Sequence, residues 1–166
     1  MQNGLPQRKH PRLDANIYKH PCPPCSLTMA VKKRQEVFGP QNDAFPKSAL
    51  QTLTQYGTAH SVPIHIALFM PDHVHICAEA SPVRSLIDFM GELKNLVMRC
   101  AWQYGHQGSF WQTSFFDHFL RKEENILTVV RYILNNPVRA QLVNYWWEYP
   151  YWYSNQYTME QLRNAG

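Results

Sequence analysis

Residues 25–31 (CSLTMAV) are apolar and rich enough in strand-forming side chains to predict a first strand. Residues 45–56 then place Ala49, Leu50, Leu53 and Tyr56 at the spacing of one helical face. Residues 62–70 are again β-branched and apolar, Pro71-Asp72 marks a turn, and residues 73–79 alternate, which predicts a hairpin at the centre of an antiparallel sheet. Over residues 83–104, Leu86, Phe89, Met90, Leu93, Leu96, Val97, Cys100 and Ala101 keep helical periodicity, with Ser81-Pro82 as the expected cap. Residues 115–120 (FFDHFL) predict a further strand. Residues 123–135 predict a second strong helix that buries Ile126, Val129, Val130, Ile133 and Leu134 and is ended by Pro137. Strands and helices mixed in this order imply an α+β domain, with helices packed on an antiparallel sheet.

At 166 residues and 45% hydrophobic, the chain fits one domain, residues 1–166. Within it, a Pro-rich stretch at residues 21–24 sets off an N-terminal arm (residues 1–24), and residues 144–166 form an aromatic tail. No apolar run reaches the roughly 20 residues of a membrane span, and the N-terminus leads into Arg and His, so the expectation is a cytoplasmic protein with no membrane partner. Four cysteines are too few for a disulfide scaffold. Cys77 and Cys100 sit in apolar patterns and read as core. Cys22 and Cys25 read as plain thiols, the alternative being a small zinc knuckle with His10 and His20.

The net charge of +4 is unevenly spread. Residues 1–34 hold Arg8, Lys9, Arg12, Lys19, Lys32, Lys33 and Arg34 against Asp14 alone, +6 in all, which leaves −2 for the rest. A basic arm on a near-neutral body suits a polyanion, because each neutralised phosphate releases condensed counterions. A solvated tail is the alternative.

In the strand at residues 73–79, His73 and His75 point to one face with Cα atoms about 6.7 Å apart. Two imidazoles so placed can converge on one ion, while Val74 and Ile76 anchor the strand from the other face. H-V-H alone also fits two half-exposed hairpin histidines. On the second helix, Tyr132 falls about 120° or more from the apolar stripe, on the side of Asn125 and Thr128, and Asn136 lies one turn further along that side. A phenol and an amide oxygen thus project together, a nucleophile beside a possible third metal ligand. Taken singly, Tyr132 also fits a helix–sheet boundary and Asn136 a helix end before Pro137.

Four blocks of the chain resemble a known family, the HUH-type tyrosine transposases of the IS200-like class, and within it the REP-associated tyrosine transposases of bacteria. They are LFMPDHVHI (residues 68–76), FWQTSFFDHFLR (110–121), YILNNPVRAQLV (132–143) and WWEYPY from Trp146. The resemblance implies a ferredoxin-like or RRM-like HUH endonuclease core, with His73, His75 and Asn136 as metal ligands and Tyr132 as nucleophile. It implies cleavage and rejoining of single-stranded DNA at hairpin, REP-like ends through a 5′-phosphotyrosine, with Mn²⁺ or Mg²⁺ as cofactor. Imidazole ligation favours Mn²⁺. It further implies a bacterial, nucleoid-associated monomer, with a homodimer as the alternative. Gln141 departs from the family, where Gly is common.

The expected DNA contacts are Arg8, Lys9 and Arg12 on the arm, Lys94 and Arg99 on the long helix, and Arg139 in the N-P-V-R block. Trp146, Trp147, Tyr149, Tyr151, Trp152 and Tyr153 either stack on unpaired bases or clasp the domain. Two further readings stand beside the transesterase. One is a hairpin-DNA-binding protein that does not cut, such as a repressor or domesticated transposase; the other is a phosphodiesterase that uses water.

Overall fold

A computed structural model describes residues 14–164. Five strands, β1 (Cys25–Val31), β2 (Ile64–Met70), β3 (His73–Ala78), β4 (Trp111–Phe119) and β5 (Trp152–Tyr153), form one sheet in the order β4-β1-β3-β2-β5. Every neighbouring pair is antiparallel. With α1 (Ala44–Ala59) between β1 and β2 and α2 (Leu86–Gln103) between β3 and β4, the first four strands make the βαββαβ order of a ferredoxin-like core. Then follow α3 (Ile126–Leu134), the short α4 (Asn136–Arg139) and α5 (Met159–Asn164).

Burial explains the layering. β1 alternates strictly, with Cys25, Leu27, Met29 and Val31 buried and Ser26, Thr28 and Ala30 half-buried between them. Every residue of β2 is buried, so both faces of that strand are covered. Both α1 and α3 pack on β2, and α3 also reaches β3. Phe38, Phe45, Phe69 and Phe89 are fully buried. Phe38 anchors an aromatic cluster, stacking on Phe45 at 5.0 Å and meeting Phe69 edge-on at 5.1 Å.

The hairpin of β2 and β3 contains the central strand of the sheet, β3, as the sequence predicts. Three details differ from the sequence reading. Ser81 and Pro82 lie in a separate turn closed between Ser81 and Arg84. The cap of α2 is Ser85, whose side chain accepts the Asp88 N–H at 3.2 Å. β4 begins at Trp111, four residues before the expected start. Pro137 does not stop the helical path: it sits in the first turn of α4, where its missing N–H costs nothing.

The described part of the N-terminal segment packs on the domain. Tyr18 is buried against Phe119, with ring centroids 5.1 Å apart, and its hydroxyl donates to Asp117. Among the described residues no helix is long and apolar enough to cross a membrane.

Candidate active site

His73 and His75 share one face of β3, and their Nε2 atoms lie 3.0 Å apart with the rings at 89°. Each ring is gripped by its other nitrogen. His73 Nδ1 is 2.5 Å from Asp72 Oδ1, and His75 Nδ1 is 3.0 Å from Thr28 Oγ1. Thr28 stands opposite His75 in the β1–β3 register, so strand pairing itself delivers that partner. In the tautomer with the proton on Nδ1, each ring would donate to its anchor and turn its Nε2 lone pair toward the other.

The support extends further. Arg34 Nε binds Asp72 Oδ2 at 2.7 Å. The N–H groups of Val37 and Phe38 donate to Pro71 O at 2.8 and 2.9 Å, and Val31 N–H donates to Asp72 O at 2.9 Å. The turn that leads into the histidine strand is therefore fixed by three backbone bonds. Lys33 and Arg34 both take φ of 56°, in the left-handed region. Such a conformation costs a non-glycine residue about 1–2 kcal/mol and persists where its surroundings over-determine it.

Burial pushes the His75 imidazole down to about 3, helped by the neighbouring His73 and by the positive charges of Arg139 and Arg34, and opposed by Asp72. The ring is thus held neutral, the form that coordinates a metal. Two metal–nitrogen bonds of about 2.1 Å meeting at a right angle span about 3 Å, which is the separation of the two Nε2 atoms. The pair fits neighbouring positions of one cation's shell. Among the described residues no group of three or more His, Cys, Asp and Glu is placed to hold a metal.

Tyr132 projects from α3 and is 60% exposed. Its ring carries the Arg139 guanidinium, with Cζ 3.8 Å from the centroid. The same guanidinium donates to Asn136 Oδ1 at 2.6 Å, and Asn136 Nδ2 donates back to Ile133 O at 3.0 Å. Tyr132, Asn136 and Arg139 are therefore one connected unit at the α3–α4 junction. Arg139 also acts electrostatically on His75, and α3, which carries Tyr132, packs on β3. No hydrogen bond joins Asn136 to either histidine; its amide oxygen is engaged by Arg139.

The other expected contacts divide. Lys94 is half-buried and donates to Gln112 O at 2.8 Å, tying α2 to β4. Arg99 is exposed and lies 3.4 Å from Glu92. Arg8, Lys9 and Arg12 lie outside the described residues. Of the aromatic tail, Trp146, Tyr149 and Tyr151 are buried and Trp152 and Tyr153 pair with β2, so most of it is a clasp. Cys22 and Cys25 are buried, and burial pushes both thiols up. Cys22 Sγ accepts the Ala80 N–H at 3.2 Å. The zinc-knuckle alternative needed His10, which also lies outside the described residues.

The sequence reading missed Thr28, Asp72 and Arg34. Asp72 was visible beside His73 in P-D-H-V-H; Thr28 and Arg34 become partners only through the pairing of β1 with β3.

The sequence profile of the family described as "Transposase IS200 like" matches residues 25–136. Among solved structures, a REP-associated tyrosine transposase bound to a REP hairpin superposes with a TM-score of 0.66 at 16% identity, covering 88% of this chain and 82% of that one. It shares the fold. A candidate transposase from Deinococcus radiodurans R1 gives a TM-score of 0.49 at 21% identity, over 72% of this chain and 84% of that one. No curated protein sequence matches. The profile match runs from the first residue of β1 through both histidines and Tyr132 to Asn136: the chain belongs to the IS200-like transposase family.

Proposed function

We propose that this transposase cleaves and rejoins single-stranded DNA at hairpin ends, with Tyr132 as nucleophile and His73 and His75 as ligands of a divalent cation. The observation that carries this reading is the convergence of two Nε2 atoms, each ring anchored by its Nδ1, on a strand against which α3, the helix of the exposed Tyr132, packs. A hairpin substrate is supported by the REP hairpin bound to the structural relative. Action within a single chain is supported by α3 packing on β2 and β3 of its own sheet.

The cation, Mn²⁺ or Mg²⁺, would supply Lewis acidity to the scissile phosphate. The chain's residues do the rest. Tyr132 Oη attacks phosphorus in line, gives up its proton to solvent, and forms a phosphotyrosyl ester as the bond to the 3′ oxygen breaks. That oxygen takes a proton and leaves as a 3′-OH. Attack by another 3′-OH reverses the step, so strands rejoin without an external energy source. Arg139 holds the Tyr132 ring and the Asn136 amide in register. Asn136, whose Oδ1 accepts from Arg139 in this structure, would be the third residue to hold the cation.

One observation favours a non-cleaving hairpin-binding protein instead, the capture of Asn136 Oδ1 by Arg139. Incubation with single-stranded hairpin DNA and Mn²⁺ separates the readings. A covalent adduct that vanishes in Tyr132→Phe while binding persists supports the transesterase. Binding with no adduct supports the second reading, and cleavage that survives Tyr132→Phe would indicate attack by water.

A further inference from the structure

Two rings of the tail escape the clasp. Tyr145 is 54% exposed and Trp147 37%, and they stack face to face, with centroids 4.8 Å apart and planes within 7°. Arg163 of α5 lies over the Trp147 ring, its Cζ 4.4 Å from the centroid. The backbone below is pinned, since Glu148 Oε2 accepts the N–H groups of Asn144 and Tyr145 at 3.1 and 3.0 Å. Trp147 is covered by Tyr145 and the guanidinium, which leaves the outer face of Tyr145 as the open end of the stack.

Tyr145 stays more than half exposed and Trp147 more than a third, while their neighbours Trp146 and Tyr149 are buried. A flat, pre-ordered π-face beside a cation matches one chemistry well, an unpaired base with its phosphate. Three side chains are too small a patch for a stable protein interface. The position also fits: the helical turn Trp146–Glu148 packs against α4, which carries Arg139 over the Tyr132 ring.

We propose that Tyr145, Trp147 and Arg163 form a stacking platform for an unpaired nucleobase of the DNA strand, next to the phosphate presented to Tyr132. This rests on the reading of the substrate as single-stranded DNA. Tyr145 supplies the contact face, Trp147 backs it, and Arg163 adds positive charge for the flanking phosphate. Stacking of this kind is tolerant of sequence, since every base has a π-face.

The test is fluorescence anisotropy with the full chain and a labelled mixed-sequence single strand of about 20 nucleotides, against a blunt duplex of the same sequence. Tyr145→Ala and Tyr145→Leu are expected to weaken single-strand binding roughly 5- to 100-fold, Tyr145→Phe to retain it, and duplex binding to be unmoved. Abasic sites in the strand should weaken wild-type binding and leave Tyr145→Ala little changed. Single-strand affinity equal in wild type, Tyr145→Ala and Tyr145→Leu overturns the platform. The Tyr132 adduct is scored in parallel on single-stranded hairpin DNA with Mn²⁺. An adduct with no Tyr145 dependence of binding overturns the platform alone. Tyr145-dependent binding without an adduct supports the platform and sinks the cleavage reading.

Discussion

The guanidinium of Arg139 lies 3.8 Å above the centre of the Tyr132 ring while one of its nitrogens holds Asn136 Oδ1. One side chain thus orients both the proposed nucleophile and the proposed third ligand. A cation over an aromatic ring contributes about 0.5–2 kcal/mol, so Arg139→Ala should slow adduct formation roughly 3- to 30-fold in single-turnover assays. Arg139→Lys keeps the charge but loses the planar fork, and should fall in between. A rate unchanged in Arg139→Ala would show that the contact does not survive in the reacting complex.

Thr28 and Asp72 hold the two imidazoles that we propose as metal ligands. Partners that orient a ligating imidazole are worth roughly 10- to 100-fold in metal affinity. Thr28→Val and Asp72→Ala should each weaken Mn²⁺ binding by about that factor in calorimetric titration, with the fold intact by circular dichroism. Equal affinities would mean that β3 alone holds the rings.

His75 makes the metal-free protein sensitive to acid. Its folded value of about 3 lies below the ordinary 6.5, so between these limits the unfolded chain takes up a proton that the folded chain declines. Stability contributed by the neutral ring is fully present above pH 6.5 and is lost as the pH falls toward 3, by up to about 1.4 kcal/mol per pH unit. Denaturant melts in EDTA should show a shallower acid limb for His75→Gln than for wild type. Parallel limbs would contradict the assignment.

Gln141 takes φ of 57°, with its N–H bonded to Val138 O at 2.9 Å, just past the end of α4. This is the left-handed exit that Gly makes without strain. Gln141→Gly should therefore stabilise the protein by about 1 kcal/mol, visible as a higher melting temperature. A neutral or lowered melting temperature would place a compensating contact on the glutamine side chain.

The histidine pair and the tyrosine were legible because period-2 and period-3.6 patterns place side chains on faces without reference to anything distant. Asn136 was legible only as a neighbour of Tyr132, and its bond to Arg139 was not, because both i+3 and i+4 partners satisfy the same helical pattern. Thr28 and Arg34 were hidden for a deeper reason. Their roles depend on the register of β1 against β3, which no local pattern encodes. The α2 cap was misplaced because Ser81 and Pro82 lie in a turn closed between Ser81 and Arg84, which delays the helix until after Ser85. Tyr145 was overlooked because stacking two residues apart belongs to neither regular period.

β2 is buried on both faces, and its outer edge is sealed by β5, with Tyr149 Oη donating to Phe69 O at 2.8 Å and Asn155 Oδ1 accepting the Ile64 N–H at 2.8 Å. The groups that close this edge are all made after Tyr132 and both histidines during synthesis. A chain emerging from the ribosome therefore exposes both histidines and the tyrosine before the sheet has its last strand, and release of residues 149–155 completes that edge.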